Sequence, residues 1–162
     1  MPNNATQDAT ADNPGVIAPP PLLYAGALGI GLAVDFLMFR LPTGIPASVR
    51  YGLGALFFAA ALGLGIGAMN LFHRAGTNAQ PWRPTTAIVT DGVYGFTRNP
   101  MYLAATLLYM AVSIAANSAV ALLLLIPLLM VMHYGVIVRE ERYLEAKFGE
   151  DYRRYKSSVR RW

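Results

Sequence analysis

Between Arg98 and Arg139 the chain contains no Asp, Glu, Lys or Arg, and a polar motif stands at each end of that run. Arg98-Asn99-Pro100-Met101-Tyr102 opens it and Arg139-Glu140-Glu141 closes it. A bilayer's hydrocarbon core is about 30 Å thick and takes about 20 apolar residues to cross as a helix. The run therefore predicts two crossings, about 100–116 and 119–138, joined by a tight turn at Asn117-Ser118. At 1.5 Å per residue the arms are about 25 and 30 Å long. Pro100 suits a first helical turn, where its missing N–H has no partner to lose, and Pro127 predicts a kink in the second arm. Such a hairpin returns both motifs to one membrane face, where residues far apart in sequence can form one site.

The rest of the chain agrees. Charged residues make up 14% of it, against roughly 25% in soluble domains. Two further apolar runs, 22–39 and 51–72, read as N-terminal transmembrane helices. The predicted fold is all-α: a polytopic membrane protein with about four transmembrane helices, a C-terminal helical hairpin and an amphipathic cytosolic C-terminal helix. Residues 1–21 carry Asp8 and Asp12 but no Lys or Arg and no apolar core, so they do not read as a cleavable signal peptide. Their Asn, Thr, Ala and Pro content predicts a disordered leader. Segments 22–72 and 73–162 form one domain, the second comprising a loop, the hairpin and the C-terminal helix.

Several residues have plain readings. Asp35 lies one turn from the end of the first helix, where it reaches headgroup water or pairs with Arg40. The Gly63-Leu64-Gly65-Ile66-Gly67 run lies inside an apolar helix with no preceding strand, so it is not a nucleotide loop. Gly63 and Gly67 suit close helix packing instead. There is no cysteine, and His73 and His133 lack partners at ligand spacing, so no metal site is expected. Loop 73–98 is too polar to span and carries small apolar patches, Ile88-Val89 and Val93-Tyr94; it is read as resting on the membrane surface. Leu144, Phe148, Tyr152 and Tyr155 form one stripe on a helix that lies on the membrane or over that loop. Arg74, Arg83, Arg98 and eight basic residues of the tail share one side, against Arg40 and Arg50 on the other. The positive-inside rule then places both termini in the cytoplasm, at a bacterial-type cell membrane or an intracellular one.

The hairpin gathers Arg98, Asn99, Tyr102, Glu140 and Glu141, with Tyr94 nearby on the loop. A cation, two carboxylates, an amide and phenols at an interface can bind a zwitterionic ligand. The plainer alternative makes Arg98 a headgroup anchor and the two glutamates the solvated start of a surface helix.

Residues 86–162 resemble the integral membrane methyltransferase superfamily of isoprenylcysteine carboxyl methyltransferases and phospholipid methyltransferases. The resemblance rests on Val89-Thr90-Asp91-Gly92-Val93-Tyr94, Arg98-Asn99-Pro100-Met101-Tyr102, Glu140-Glu141 and Phe148-Gly149 with Tyr152 and Tyr155. The family pattern is Arg-His-Pro-x-Tyr-x-Gly, a hydrophobic hairpin, then Glu-Glu. It implies S-adenosyl-L-methionine as methyl donor, S-adenosyl-L-homocysteine as product, and a small lipophilic or lipid acceptor met at the cytosolic face. By position, Ile88, Val89 and Tyr94 line the cofactor pocket. Asn99, Pro100 and Tyr102 hold the donor's amino-acid and ribose portions, and Glu140 accepts a hydrogen bond or balances positive charge. Arg98, pairing with the donor's carboxylate, and Glu141, assisting an amine acceptor, are the catalytic candidates.

This sequence departs from the pattern at Asn99, where His is usual, and at Ala104, where Gly is usual. It also has Val136-Ile137-Val138 where the isoprenylcysteine branch places an Arg one turn before the glutamates, which argues against an isoprenylcysteine carboxylate as substrate. Carboxyl, amine, thiol and phenol acceptors stay open. The expected partners are the bilayer and the acceptor, with no nucleic acid, and the oligomeric state is left open. Two other functions are weighed: an NADPH-linked membrane reductase related to the sterol reductases, and a non-catalytic membrane packing protein.

Overall fold

The computed structural model describes residues 13–38, 40–80 and 83–162. Helix α1 (Pro20–Leu37) is followed by α2 (Ala47–Arg74), a long loop containing one 3-10 turn (Gly92–Gly95), and α3 (Pro100–Ala115). Helix α4 (Ala119–Met132) runs through a π-helical turn (His133–Ile137) into α5 (Val138–Phe148), and α6 (Glu150–Ser158) ends the helical part. There is no named strand among the described residues; one isolated parallel bridge joins Thr97 to Arg160.

Among the described residues, three helical stretches are long and apolar enough to cross a membrane: α1, α2 and the continuous Ala119–Phe148. Helix α3 is apolar but has only 16 residues, about 24 Å at 1.5 Å per residue, which is short of the hydrocarbon core. It sits at the centre of the bundle, packed against α1, α2 and α4. Both α1 and α3 have proline in their first turn. At the opposite end of the hairpin the turn is closed by Asn117 in a left-handed conformation, φ 58°. Ser118 caps α4 by accepting the Ala121 N–H at 3.1 Å, as short hydroxyl side chains commonly do. Pro127 lies inside α4, where its missing N–H leaves one helical hydrogen bond unmade, and the π-turn follows at His133–Ile137.

The core joins Tyr24 of α1, Tyr109 of α3, and Leu128, Met132 and Val136 of the last span. The Tyr24 and Tyr109 rings meet edge-on, 6.4 Å apart. Elsewhere small residues bring backbones together, as is common between membrane helices. A Cβ on Gly54 would lie 3.3 Å from both the Ala111 carbonyl oxygen and the Ala115 Cβ, so this glycine sets the α2–α3 contact. Gly67 approaches Val93, whereas Gly63 meets nothing within 4 Å. The expected pairing of Gly63 with Gly67 in one packing face therefore gives way to Gly54, Ala61 and Ala68, the buried residues of α2. Helices α1 and α2 barely touch one another, although both pack on α3.

Three further expectations change. Asp35 is 2% exposed and accepts the Leu41 N–H at 3.1 Å, while Arg40 stacks on Phe36; burial against the turn replaces the expected exposure. Of the expected leader, residues 1–12 lie outside the described ones. From Asn13 on it is packed, with Ile17 N–H donating to the Gly135 carbonyl at 3.2 Å and Arg139 Nη1 donating to the Gly15 carbonyl at 2.9 Å. Gly135 has no side chain, and a Cβ there would collide with Ile17. Finally, the expected single C-terminal helix is broken at Gly149, where φ is +56°, a conformation glycine adopts without steric cost. Helix α6 folds back, with Lys156 and Arg153 both bonded to Glu145 of α5.

The closest backbone approach yields a test. A Cβ on Gly31 would sit 2.7 Å from the Ala121 Cα, so Gly31→Ala forces α1 away from α4 at a cost of about 1–3 kcal/mol. A lower midpoint of thermal unfolding in detergent is expected for Gly31→Ala, and an unchanged one for Gly29→Ala, where the added methyl meets nothing within 4 Å.

Candidate active site

The helices alternate in direction, so the start of α1, the end of α2, the start of α3 and the start of α5 share one end of the bundle. At the other end Thr43 is held by Asn117 Oδ1 and the Ala119 N–H by the Leu41 carbonyl. The shared end contains a cavity of about 850 Å³, within the range of small-molecule sites. The loop lies over it, tied by Thr77 Oγ1 accepting the Thr86 N–H at 2.9 Å and by Tyr143 Oη accepting the Thr85 N–H at 3.3 Å.

Ile88, Val89 and Tyr94 line this cavity from the loop, Arg98, Asn99 and Tyr102 from the start of α3, and Glu140 and Glu141 from α5. Pro100 is fully buried and does not line it; it starts α3 and thereby aims its neighbours. The hairpin thus does bring the two motifs together. Tyr102 donates its phenolic hydrogen to Glu140 Oε1 at 2.7 Å, a short hydrogen bond across the two arms.

Glu141 is held differently. Arg161 grips it with both forks, Nε to Oε1 at 2.9 Å and Nη2 to Oε2 at 2.7 Å. Arg98 Nη1 lies 3.1 Å from Oε1, with the side chains of Arg98 and Glu141 only 9% and 8% exposed. That approach is a charge contact without hydrogen-bond alignment: Arg98 Nε and Nη1 are buried with no hydrogen-bond partner. Buried donors of this kind are costly to leave unmatched, and here they border a cavity. Both oxygens of Glu141 thus face guanidinium nitrogens.

Asn99 is engaged with the tail, its Nδ2 donating to the Arg161 carbonyl at 3.0 Å. The tail itself contributes Tyr152 and Tyr155, both buried and both lining the cavity. Tyr155 donates to the Tyr94 carbonyl at 2.8 Å, and Phe72 of α2 meets Tyr94 edge-on at 5.4 Å. Burial raises the Tyr94, Tyr152 and Tyr155 phenols above their ordinary value, Tyr152 to about 12, with Glu141 adding to the rise at Tyr152. All three are therefore neutral hydrogen-bond donors near pH 7.

A second arm of the cavity is apolar and enters the bundle. Met101, Ala105 and Leu108 of α3 line it, flanked by Tyr24 and Leu28 of α1 and by Met69 of α2. Leu108 is 42% exposed, because the poorly packed α1–α2 flank leaves this strip of α3 uncovered. A sideways entry from the lipid between the hairpin and the earlier helices is an expectation of the sequence, but the residues that line this arm, and Arg161, are not singled out by it. The spacing of Met101, Ala105 and Leu108 is a helical stripe, but it reads equally as core.

Residues 49–151 match the family model for phospholipid methyltransferases; the match takes in nearly all of α2, the loop, the hairpin and α5. A Haemophilus influenzae protein described as uncharacterized is 45% identical over 62 residues, which cover 38% of this chain and 98% of that protein. No solved structure matches. The chain belongs to the phospholipid methyltransferase family, membrane methyltransferases of the phospholipid and isoprenylcysteine kind.

Proposed function

We propose that this protein is an S-adenosylmethionine-dependent methyltransferase that modifies a lipid or small lipophilic acceptor, with the donor in the polar part of the cavity. The observation that carries this reading is Arg98, whose buried Nε and Nη1 lack hydrogen-bond partners beside that space. The donor has a carboxylate, an ammonium, a sulfonium and an adenine. Arg98 takes the carboxylate. Glu140, oriented by Tyr102, balances the positive groups, and Tyr94, Ile88 and Val89 wall the nucleoside. Asn99 and Pro100 act through the backbone and the tail, not by direct grip. Glu141 anchors the guanidinium pair.

The donor supplies a methyl group activated by the adjoining sulfonium. The chain's part is alignment of the acceptor and exclusion of water. Tyr94, Tyr152 and Tyr155 close the polar side, and the apolar arm between α1 and α2 gives an acceptor in the bilayer a sideways route along Met101, Ala105 and Leu108. The turn before the glutamates supports a non-isoprenylcysteine acceptor, since Val136 and Ile137 are fully buried in the bundle and no cation stands there. The positive-inside rule puts the site end of the bundle in the cytoplasm.

Isothermal titration of the purified protein in detergent is expected to give saturable binding of S-adenosylhomocysteine and none of NADPH; the reverse result favours a reductase. Glu140→Ala is expected to weaken S-adenosylhomocysteine binding about tenfold, the scale of one charge-assisted contact. Glu145→Ala should leave it unchanged, and equal affinities in the two variants would refute the assignment of Glu140. For the acceptor route, Leu108→Trp is expected to reduce labelled methyl transfer to extracted membrane lipids while S-adenosylhomocysteine affinity stays within about twofold. Full transfer by that variant argues for another route.

A further inference from the structure

The tail holds the loop through backbone as well as side chains. The Arg98 N–H donates to the Arg160 carbonyl at 2.9 Å, and Thr97 Oγ1 and Asn99 Nδ2 both donate to the Arg161 carbonyl, at 2.9 and 3.0 Å. Residues 97, 98 and 99 thus all grip the two residues that carry the Arg161 guanidinium to Glu141. We propose that Arg161 is a positioning residue: by occupying both oxygens of Glu141 in a bidentate pair, it leaves the Nε and Nη1 of Arg98 available to the carboxylate of a ligand in the cavity.

The argument is one of competition. Glu141 has two oxygens and two guanidinium neighbours, and the in-line bonds go to Arg161. From Glu141 Arg98 receives only the 3.1 Å charge contact, and Tyr152 is its other side-chain neighbour. Planar forks prefer parallel two-point pairing with a carboxylate. With Arg161 absent, Glu141 and Arg98 are two buried opposite charges whose strongest arrangement is a direct two-point pair. That pair consumes the donors a ligand needs. The Asn99 departure from the family pattern fits this device, since its amide secures the carbonyl of Arg161 and needs no proton to transfer.

The inference rests on the methyl-donor reading, and its test separates the two. S-adenosylhomocysteine and 5′-methylthioadenosine, which lacks the amino-acid portion, are titrated into wild-type protein, Arg161→Gln and the double variant Glu141→Gln/Arg161→Gln. Arg161→Gln is expected to weaken S-adenosylhomocysteine about tenfold while methylthioadenosine changes by less than about twofold. The double variant, with no carboxylate left to capture Arg98, is expected to recover much of the lost affinity. Equal weakening of both ligands makes Arg161 a structural staple only and overturns the proposal. So does an unchanged S-adenosylhomocysteine affinity, or a double variant no better than the single one. Wild-type protein that binds neither ligand overturns the methyl-donor reading itself, and this inference with it.

Discussion

A single buried carboxylate joins three distant parts of this chain. Glu141, at the start of α5, meets Arg98 from the end of the loop and Arg161 from the tail. Breaking a buried ion pair by removing one partner costs about 3–5 kcal/mol, because the other charge is left stranded in a poorly polarisable setting. Loop, hairpin and tail are therefore held to one another by an interaction that none of them can lose cheaply. The cavity exists because those three segments converge there. With Glu140 counted, this junction holds two guanidiniums and two carboxylates, and Arg98 Nε and Nη1 still lack hydrogen-bond partners.

The apolar half of the molecule follows a different logic. Helix α3 is too short to present a full membrane-spanning face and sits where three neighbours cover it. Those neighbours are unequal: α2 approaches through Gly54 and its alanines, α1 is drawn toward α4 through Gly31, and the two barely meet. Close packing on two sides thus produces an opening on the third. Small residues, usually read as a device for closing helices together, here also determine where the bundle stays open.

Much of the site was legible because charge is rare in this chain. An uncharged run of the right length forces a hairpin, and its flanking polar residues must then be neighbours; Tyr102–Glu140 and Arg98–Glu141 are the outcome. What hydropathy does not encode is which partner wins when several like groups compete. The five arginines after Glu141 in the tail are equivalent as membrane-attracting charges, and only the fold-back at Gly149 selects Arg161. Gly149 was visible, but a lone glycine in a charged helix does not announce a left-handed break. Asp35 was misread for a related reason: nearness to a helix end suggested water, while the turn at Leu41 folds over it and supplies an N–H. Residues from Asn13 to Pro19 read as disordered by composition, yet Ile17 finds a place on a glycine 118 positions later. Composition averages over a window and cannot register one such contact.

The position of Arg161 also separates two kinds of packing. The core around Tyr24 and Tyr109 contains nothing from the tail, so the apolar packing of the bundle does not run through Arg161. The polar end does depend on it: Thr97, Arg98, Asn99 and Glu141 each bond to Arg160 or Arg161. A change in the tail would therefore reach the cavity while leaving the bundle beneath it intact.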